Sequence, residues 1–407
     1  MGKIILFKEK SECCGCGACM NICPKGAITM VEDEVGFVYP SINSDKCIGC
    51  GLCKKACNYQ RENQSKGIRK VYAAMTTKTD LLTKSASGGI FASIAENILD
   101  QGGIVVGVSM EQKEGTLYPQ HVIISSKADL EKLQGSKYVQ SEVGYCYKLT
   151  KELLNDGRTV LFTGTPCQID GLYGYLRGVS YPDLYTIDII CHGVPSCKFF
   201  QSYLQVQEKK VKGKIVGFKF RDKECGWGLQ GSMQFINKRN KKIRRSVPFE
   251  SSSYYQLFLN ADIYRENCYE CKYATKDRIG DLTIGDYWRI EKEHPEYLIE
   301  NGGTLEPQRG ISSILVNSEQ GEKLLKIFGT NLILELSNYD KVSRQNAQLR
   351  VPSSKSKYRE EIFETYKKQG YQAIEKEYDR KLGIKKYRFM VSNMVPKPIK
   401  TIIKRII

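Results

Sequence analysis

Cys13, Cys16, Cys19 and Cys23 follow one another as C-x2-C-x2-C-x3-C, with Pro24 behind them. The same spacing returns at Cys47, Cys50, Cys53 and Cys57, each thiol 34 residues after its counterpart. Thiolates are soft ligands. At these intervals one loop wraps three corners of an iron–sulfur cube, while its fourth cysteine reaches across to the other cube. The spacing therefore predicts two 4Fe–4S clusters, one on Cys13, Cys16, Cys19 and Cys57, the other on Cys47, Cys50, Cys53 and Cys23. A pair of zinc sites is the competing reading, but zinc takes four ligands per site and gains nothing from the doubled rhythm. Cys14 is left over and reads as a neighbour.

The doubled rhythm resembles the bacterial two-cluster ferredoxins. Asn58 stands where a second proline is expected, and the spacer between the halves is long, but neither departure removes a ligand. Further along, Cys268 and Cys271 form a C-x2-C pair. With Cys167 and Cys191 they make four thiols, enough for one more cluster. Four unrelated thiols, or a zinc knuckle at the pair, are the alternatives. Cys146 falls on an apolar helix face and reads as a small hydrophobe. Cys197 and Cys225 read as structural.

At 407 residues and 41% hydrophobic, the chain is long enough for two or three domains and a sizeable core. The N-terminal stretch has no apolar run after a basic start, and no apolar stretch approaches the roughly 18 residues that span a bilayer. Sixteen cysteines in such a chain imply a reducing compartment, so the expected location is cytoplasmic. The three histidines, His121, His192 and His294, argue against a histidine-rich metal centre. The net charge of +17 is concentrated: residues 381–407 carry eight Lys or Arg and no acidic residue. A second basic stretch runs from Lys238 to Arg245. Basic surfaces attract nucleic acid, anionic lipid or acidic redox partners. No nucleic-acid module is present in the pattern, so nucleic acid is not an expected partner. No G-x-G-x-x-G links a strand to a helix, which leaves a Rossmann nicotinamide site unsupported.

The elements that must position these thiols are legible in outline. Residues 1–60 form the ferredoxin-like unit, and the polar run from Arg61 to Lys70 reads as a linker. From Val71 on, short apolar runs alternate with amphipathic stretches, which indicates an α/β (α+β) body. Ile90, Phe91, Ile94, Ala95, Ile98 and Leu99 repeat at helical spacing, and Gly102 stops that helix. Thr159–Phe162 is an apolar strand leading into Cys167, and Leu184–Ile190 is another leading into Cys191. The C-terminal edge of an open α/β sheet is where ligands bind. If those strands are parallel neighbours, both cysteines lie on one rim.

Several stretches resemble the family of deazaflavin-coenzyme (F-420) hydrogenase and dehydrogenase beta subunits. They are Ser85-Ala86-Ser87-Gly88-Gly89, Gly135-Ser136-Lys137-Tyr138, Gly164-Thr165-Pro166-Cys167-Gln168, Cys191-His192-Gly193-Val194-Pro195-Ser196, and Gly280-Asp281 through Asp286-Tyr287-Trp288. The resemblance runs from about residue 70 to about residue 330. It implies FAD, a third cluster on Cys167, Cys191, Cys268 and Cys271, and an oxidoreductase that joins a two-electron flavin reaction to one-electron clusters. Its flavin module is expected in two parts, 71–157 and 158–335, with a helical basic tail at 336–407. Relatives of this build also occur near bacterial surface-polysaccharide genes, so that metabolism is one setting the resemblance implies.

The candidate flavin contacts are Ser85, Ser87, Gly88 and Gly89, where small residues let backbone N–H groups approach a diphosphate at a helix N-terminus; an ordinary helix cap at Ser87 is the alternative. Lys137, Tyr138, Asp281 and Asp286 are further cofactor contacts, against solvated loop or satisfied strand-end residues. His192 is the candidate proton donor, with orientation of the cluster loop beside Cys191 as the alternative. Arg221, Lys223 and Trp227 are substrate-side candidates. The expected partner is a small molecule or redox protein that exchanges electrons; a non-enzymatic electron-transfer adaptor is the rival reading. In the tail, Tyr387, Met390, Val391, Met394 and Val395, then Ile399, Ile402, Ile403, Ile406 and Ile407, form two apolar stripes beside Lys and Arg. They suit either an anionic membrane surface or packing on protein.

Overall fold

The computed structural model describes residues 4–62, 65–225 and 227–383, without the side chain of Cys225. The two amphipathic segments expected in the tail lie outside the described residues. The N-terminal unit is an antiparallel hairpin, β1 (Ile28–Glu32) and β2 (Val38–Ile42), with short helices Ala18–Asn21 and Leu52–Ala56 on the two cysteine loops. The body begins with β3 (Lys70–Thr76), β4 (Ile104–Lys113), β5 (Thr116–Ile124), β6 (Val160–Gly164) and β7 (Leu184–Ile189). The chain then leaves into a small antiparallel sheet of β8 (Gly213–Lys219), β9 (Gly231–Asn237) and β10 (Lys242–Val247). It returns as β11 (Leu282–Asp286), β12 (Ser312–Val316) and β13 (Leu332–Ser337).

The large sheet has the order β13-β3-β12-β11-β7-β6-β4-β5. Its centre, β11-β7-β6-β4, is parallel; the strands outside it pair antiparallel. The parallel strands are buried on both faces, which is why Val160, Leu161 and Phe162 form an unbroken apolar run. On helix Ile90–Asp100 the residues Ile90, Ile94, Ala95 and Ile98 point into the core.

The C-terminal region does not hang from the body. Helices Arg359–Gln369 and Tyr371–Leu382 set Phe363, Tyr366, Tyr371 and Ile374 into an aromatic core with Phe199, Tyr203 and Tyr254. Phe37 of the N-terminal unit packs edge-on against Phe363 at 6.0 Å. Among the described residues, no helix is long and apolar enough to cross a membrane.

Helix Pro166–Leu176 carries the N-terminal unit. A Cβ on Gly171 would meet Cys16 Sγ at 3.1 Å, and one on Gly174 would collide with the backbone carbonyl of Ala56. Two bare positions on one helix face thus let the cysteine loops approach the body. Gly174→Val is expected to cost about 1–3 kcal/mol or more, since backbone cannot yield as a side chain can. Denaturant unfolding of the N-terminal unit reports it. Gly67→Ala, a site with open space, serves as control, and equal midpoints in the two variants would show that the close approach is unimportant.

Candidate functional site

Each cysteine loop turns through a left-handed glycine into a one-turn helix. Gly17 (φ 76°) precedes Ala18, and Gly51 (φ 72°) precedes Leu52. Only glycine adopts that conformation without cost. The turns direct the thiols inward, into two recesses. Cys13, Cys16, Cys19 and Cys57 line one of them, with Cys14 and Asn58. Cys23, Cys47, Cys50 and Cys53 line the other. These are the sets that the crossed spacing groups together. Burial raises the Cys57 thiol to about 11 and pushes Cys19 up further, with Cys13 and Cys57 adding repulsion at Cys19. Thiols in that condition ionise once a metal cation compensates them. Among the described residues, no three His, Cys, Asp or Glu side chains converge as they would on a single metal ion. A four-iron cube spreads its thiolates more widely, and four soft donors around one recess fit it.

Cys14 is more than a bystander. It is 5% exposed, and Asn58 Nδ2 donates to its Sγ at 3.5 Å and to the Cys167 carbonyl at 3.1 Å. A proline at position 58 would lack that amide. The residue that departs from the ferredoxin pattern thus ties the cysteine loops to the body, a role only the fold reveals.

The body thiols meet because β6 and β7 are parallel neighbours. Their C-terminal ends carry Thr165-Pro166-Cys167 and Cys191 on one rim. Thr165 caps helix Pro166–Leu176 in a reciprocal box with Gln168, and its Oγ1 lies 3.1 Å from Cys167 Sγ. The Cys268–Cys271 turn comes back to this rim through Arg265 N–H, which donates to Val194 O at 2.9 Å. Burial pushes Cys191 up to about 12, with Cys271 repelling it; burial likewise raises Cys268, which feels Cys191 and Cys271. Cys167 is raised by its contact with Cys14, then by burial, with Cys191 among its neighbours. Cys191 thus neighbours Cys167, Cys268 and Cys271, and Cys14 lies between Cys167 and Cys16. Cys146 is buried and donates to the His121 carbonyl at 3.5 Å, a core position. Cys197 opens helix Cys197–Val211 against the aromatic core.

A second cluster of side chains sits beside the same sheet edge. Arg221 Nη1 pairs with Asp286 Oδ2 at 2.7 Å and lies over the Trp288 ring at 5.5 Å. Trp227 stacks on Trp288 with centroids 5.2 Å apart. Lys223 Nζ donates to Leu82 O at 2.7 Å and Ser87 O at 2.5 Å. Burial, then Arg221, brings its pKa down to about 7. Arg221 Nε and Trp227 Nε1 are buried donors without a partner among the described residues. Helix Ile90–Asp100 begins at Gly89 with no side-chain cap, so Ser87 is not its cap. His192 is exposed on the rim; the protein around it still holds its pKa below the ordinary value, with Asp286 opposing.

Other sequence candidates have partners within the fold. Gly88 donates its N–H to Ser312 Oγ at 2.9 Å, and a Cβ there would meet Ala74 O at 2.5 Å, so strand packing already demands glycine. Ser85 Oγ donates to Leu81 O at 2.8 Å, and Ser87 Oγ to Ile311 O at 3.0 Å. Lys137 Nζ closes a helix end, donating to the carbonyls of Lys132, Leu133 and Gln134 at 3.2, 3.0 and 2.9 Å. Tyr138 stacks on Phe258 at 4.6 Å. Asp281 stands at the opposite end of β11 from Asp286 and accepts from Lys66, Thr186 and Ser318. Gly88, Lys137 and Asp281 thus have partners within the fold, and Tyr138, beside Phe258, also neighbours Arg221, which pairs with Asp286.

The chain has measurable likeness to known proteins. Residues 12–60 match a 4Fe-4S dicluster domain. Residues 71–146 and 157–342 match the N-terminal and C-terminal parts of the coenzyme F420 hydrogenase/dehydrogenase beta subunit. An uncharacterised protein of Methanocaldococcus jannaschii is 27% identical over 195 residues, 41% of this chain and 54% of that one. One of the subunits of the F420H2 dehydrogenase of Methanosarcina mazei is 24% identical over 224 residues, 51% of this chain and 63% of the relative. The likeness thus spans little more than half the length of either relative. A chain of the F420-reducing NiFe hydrogenase complex from Methanosarcina barkeri superposes with a TM-score of 0.43 at 16% identity, over 71% of this chain and 90% of that one. With both parts of the family matched in order behind an iron–sulfur domain, the chain belongs to the family of coenzyme F420 hydrogenase/dehydrogenase beta subunits.

Proposed function

We propose that the chain is an iron–sulfur flavoprotein oxidoreductase that moves electrons between 4Fe–4S clusters and a two-electron substrate. The observation that carries this reading is the continuity of thiols. The set of Cys23, Cys47, Cys50 and Cys53 lies toward solvent, with Cys50 exposed. The set of Cys13, Cys16, Cys19 and Cys57 lies behind it, and Cys14 leads on to Cys167, Cys191, Cys268 and Cys271 beside the Arg221–Asp286 rim. When bound, the clusters supply one-electron chemistry and FAD supplies two-electron chemistry.

The chain's own residues have definite tasks in this reading. The three thiol sets would hold three clusters. Arg221 Nε, Trp227 Nε1, Lys223 and the uncapped helix start at Gly89 would hold the flavin, with the paired indoles offering a flat apolar face. His192, exposed on the rim beside Cys191, would exchange a proton with the substrate side. The substrate that the family name suggests is the reduced deazaflavin coenzyme, and the relative from Methanosarcina mazei, one component of a dehydrogenase, suggests a redox-protein partner.

Flavin content separates this reading from the adaptor. Anaerobically prepared protein is expected to release about one FAD per chain on heating. Flavin-free protein with full iron would favour the adaptor, whose docking face would be the exposed basic hairpin at β10, where Lys242 to Arg245 face solvent. Lys223→Gln removes the amine beside the helix start and is expected to weaken FAD retention by up to about tenfold, at about 0.5–1.5 kcal/mol for one ordinary hydrogen bond. The thiols do not touch Lys223, so iron should stay constant. Unchanged flavin binding in this variant would move the flavin site elsewhere.

A further inference from the structure

Arg265 is a fully buried cation without a carboxylate. Its exposure is 0%. Nε donates to Cys13 O at 2.8 Å, and Nη2 donates to Val38 O at 2.9 Å and lies 3.7 Å from Cys13 Sγ. Nη1 reaches Gln140 Oε1 at 3.3 Å, and the guanidinium covers the Tyr39 ring at 4.1 Å. Every one of these partners is neutral unless Cys13 is a thiolate. The other buried arginines are different. Arg278 pairs with Asp188 at 2.9 Å, Arg221 with Asp286 at 2.7 Å, and Arg359 with Glu266 at 2.8 Å. Arg265 has no such partner among the described residues.

A buried charge left unpaired is costly, and the cation–π contact with Tyr39 returns only part of the cost. The position of Arg265 suggests what pairs it. Its side chain touches Cys13, its backbone N–H holds the loop after Cys191 through Val194, and its carbonyl accepts from Cys268 N–H at 3.0 Å. A cube held by four thiolates is a net anion, and reduction adds one more negative charge. A fixed cation at its edge favours the reduced form. No bond breaks and no proton is needed when the electron arrives.

We propose that Arg265 is a positioning residue that compensates the charge of the cluster held at Cys13 and raises its reduction potential. The inference rests on the iron–sulfur reading of the thiol sets. It makes the middle set of the chain the place where an incoming electron is best stabilised, between the solvent-side set and the rim.

An anaerobic redox titration followed by electron paramagnetic resonance tests it with two variants. Arg265→Gln removes the charge. Gln140→Glu keeps Arg265 but sets a carboxylate at the atom that now receives its Nη1. In both, the ratio of reduced to oxidised cluster at a fixed solution potential is expected to fall about tenfold, which is about 59 mV for one electron. The cluster of Cys23, Cys47, Cys50 and Cys53 should not move, and Arg265→Lys should recover part of the loss. If one variant loses iron, the other decides. An unchanged ratio in a fully loaded variant, or loss of this cluster's iron from both, would leave Arg265 as a structural tie and overturn the proposal. Wild-type protein lacking iron at the Cys13 set would instead refute the iron–sulfur reading itself.

Discussion

Replacing Cys268 and Cys271 together with serine is expected to lower the iron content from about twelve to about eight atoms per chain, three four-iron clusters becoming two. The two thiols share a rim with Cys167 and Cys191; burial raises Cys191, Cys268 and Cys271, and contact with Cys14, then burial, raises Cys167. Serine is a poor soft ligand, so two losses should empty the set rather than weaken it. The eight thiols of the N-terminal unit line separate recesses and should keep their signals. The effect is large because ligation is all or none at a cube with two vacant corners. Iron analysis with the electron paramagnetic resonance spectrum of the reduced protein reads it directly. Unchanged iron in the double variant would mean that the rim holds no cluster.

The reach of the sequence differs from one part of the molecule to another, and the reason is physical. Ligand spacing is a local property, so the two crossed thiol sets follow from the 34-residue repeat alone. The helix Ile90–Asp100 and the strands β6 and β7 are also local, written in apolar periodicity. The order of the sheet is not. β12 and β13 lie antiparallel on either side of β3, a pairing set by contacts across more than two hundred residues. Strand β4 runs as far as Lys113 because it continues as a hairpin with β5.

The candidate site divides in the same way. Cys167 and Cys191 were legible as a pair on one rim, because a strand leading into a cysteine is visible in sequence. Whether a motif residue serves the fold or a ligand was not visible. Lys137, Tyr138 and Asp281 sit within conspicuous motifs, and the structure gives each a partner in the fold as well: carbonyls, a neighbouring ring and strand-end hydroxyls. Arg221 and Trp227, weaker candidates in sequence, gather around Trp288, and Arg221 pairs with Asp286. Arg265 carries no local signal at all. Its significance lies in the carboxylate it lacks, and only burial reveals that. The C-terminal region was likewise opaque. Phe363 and Tyr366 lie in a charged helix, and only the facing surface of helix Cys197–Val211 makes them core.

Asp188→Ala is expected to destabilise the body by about 3–5 kcal/mol, the cost of leaving a buried partner charge unpaired. Asp188 and Arg278 are 0% and 1% exposed at the side chain and 2.9 Å apart. The second carboxylate oxygen accepts from Gly280 N–H at 2.8 Å, and Arg278 Nη1 donates to Tyr273 O at 2.7 Å. The pair therefore pins the strand that leads to Cys191 against the loop that follows Cys271. Losing Asp188 strands the buried Arg278 guanidinium and frees both loops. Iron held by the rim thiols should leave before iron held in the N-terminal unit. A double variant, Asp188→Leu with Arg278→Met, separates charge from packing: with no ion left to bury, it should be more stable than Asp188→Ala even though it lacks both partners. Anaerobic denaturant unfolding with iron release followed in parallel measures all three proteins. A double variant less stable than the single one would show that the pair acts through shape and hydrogen bonding at the rim, and that charge compensation is the minor part of its role.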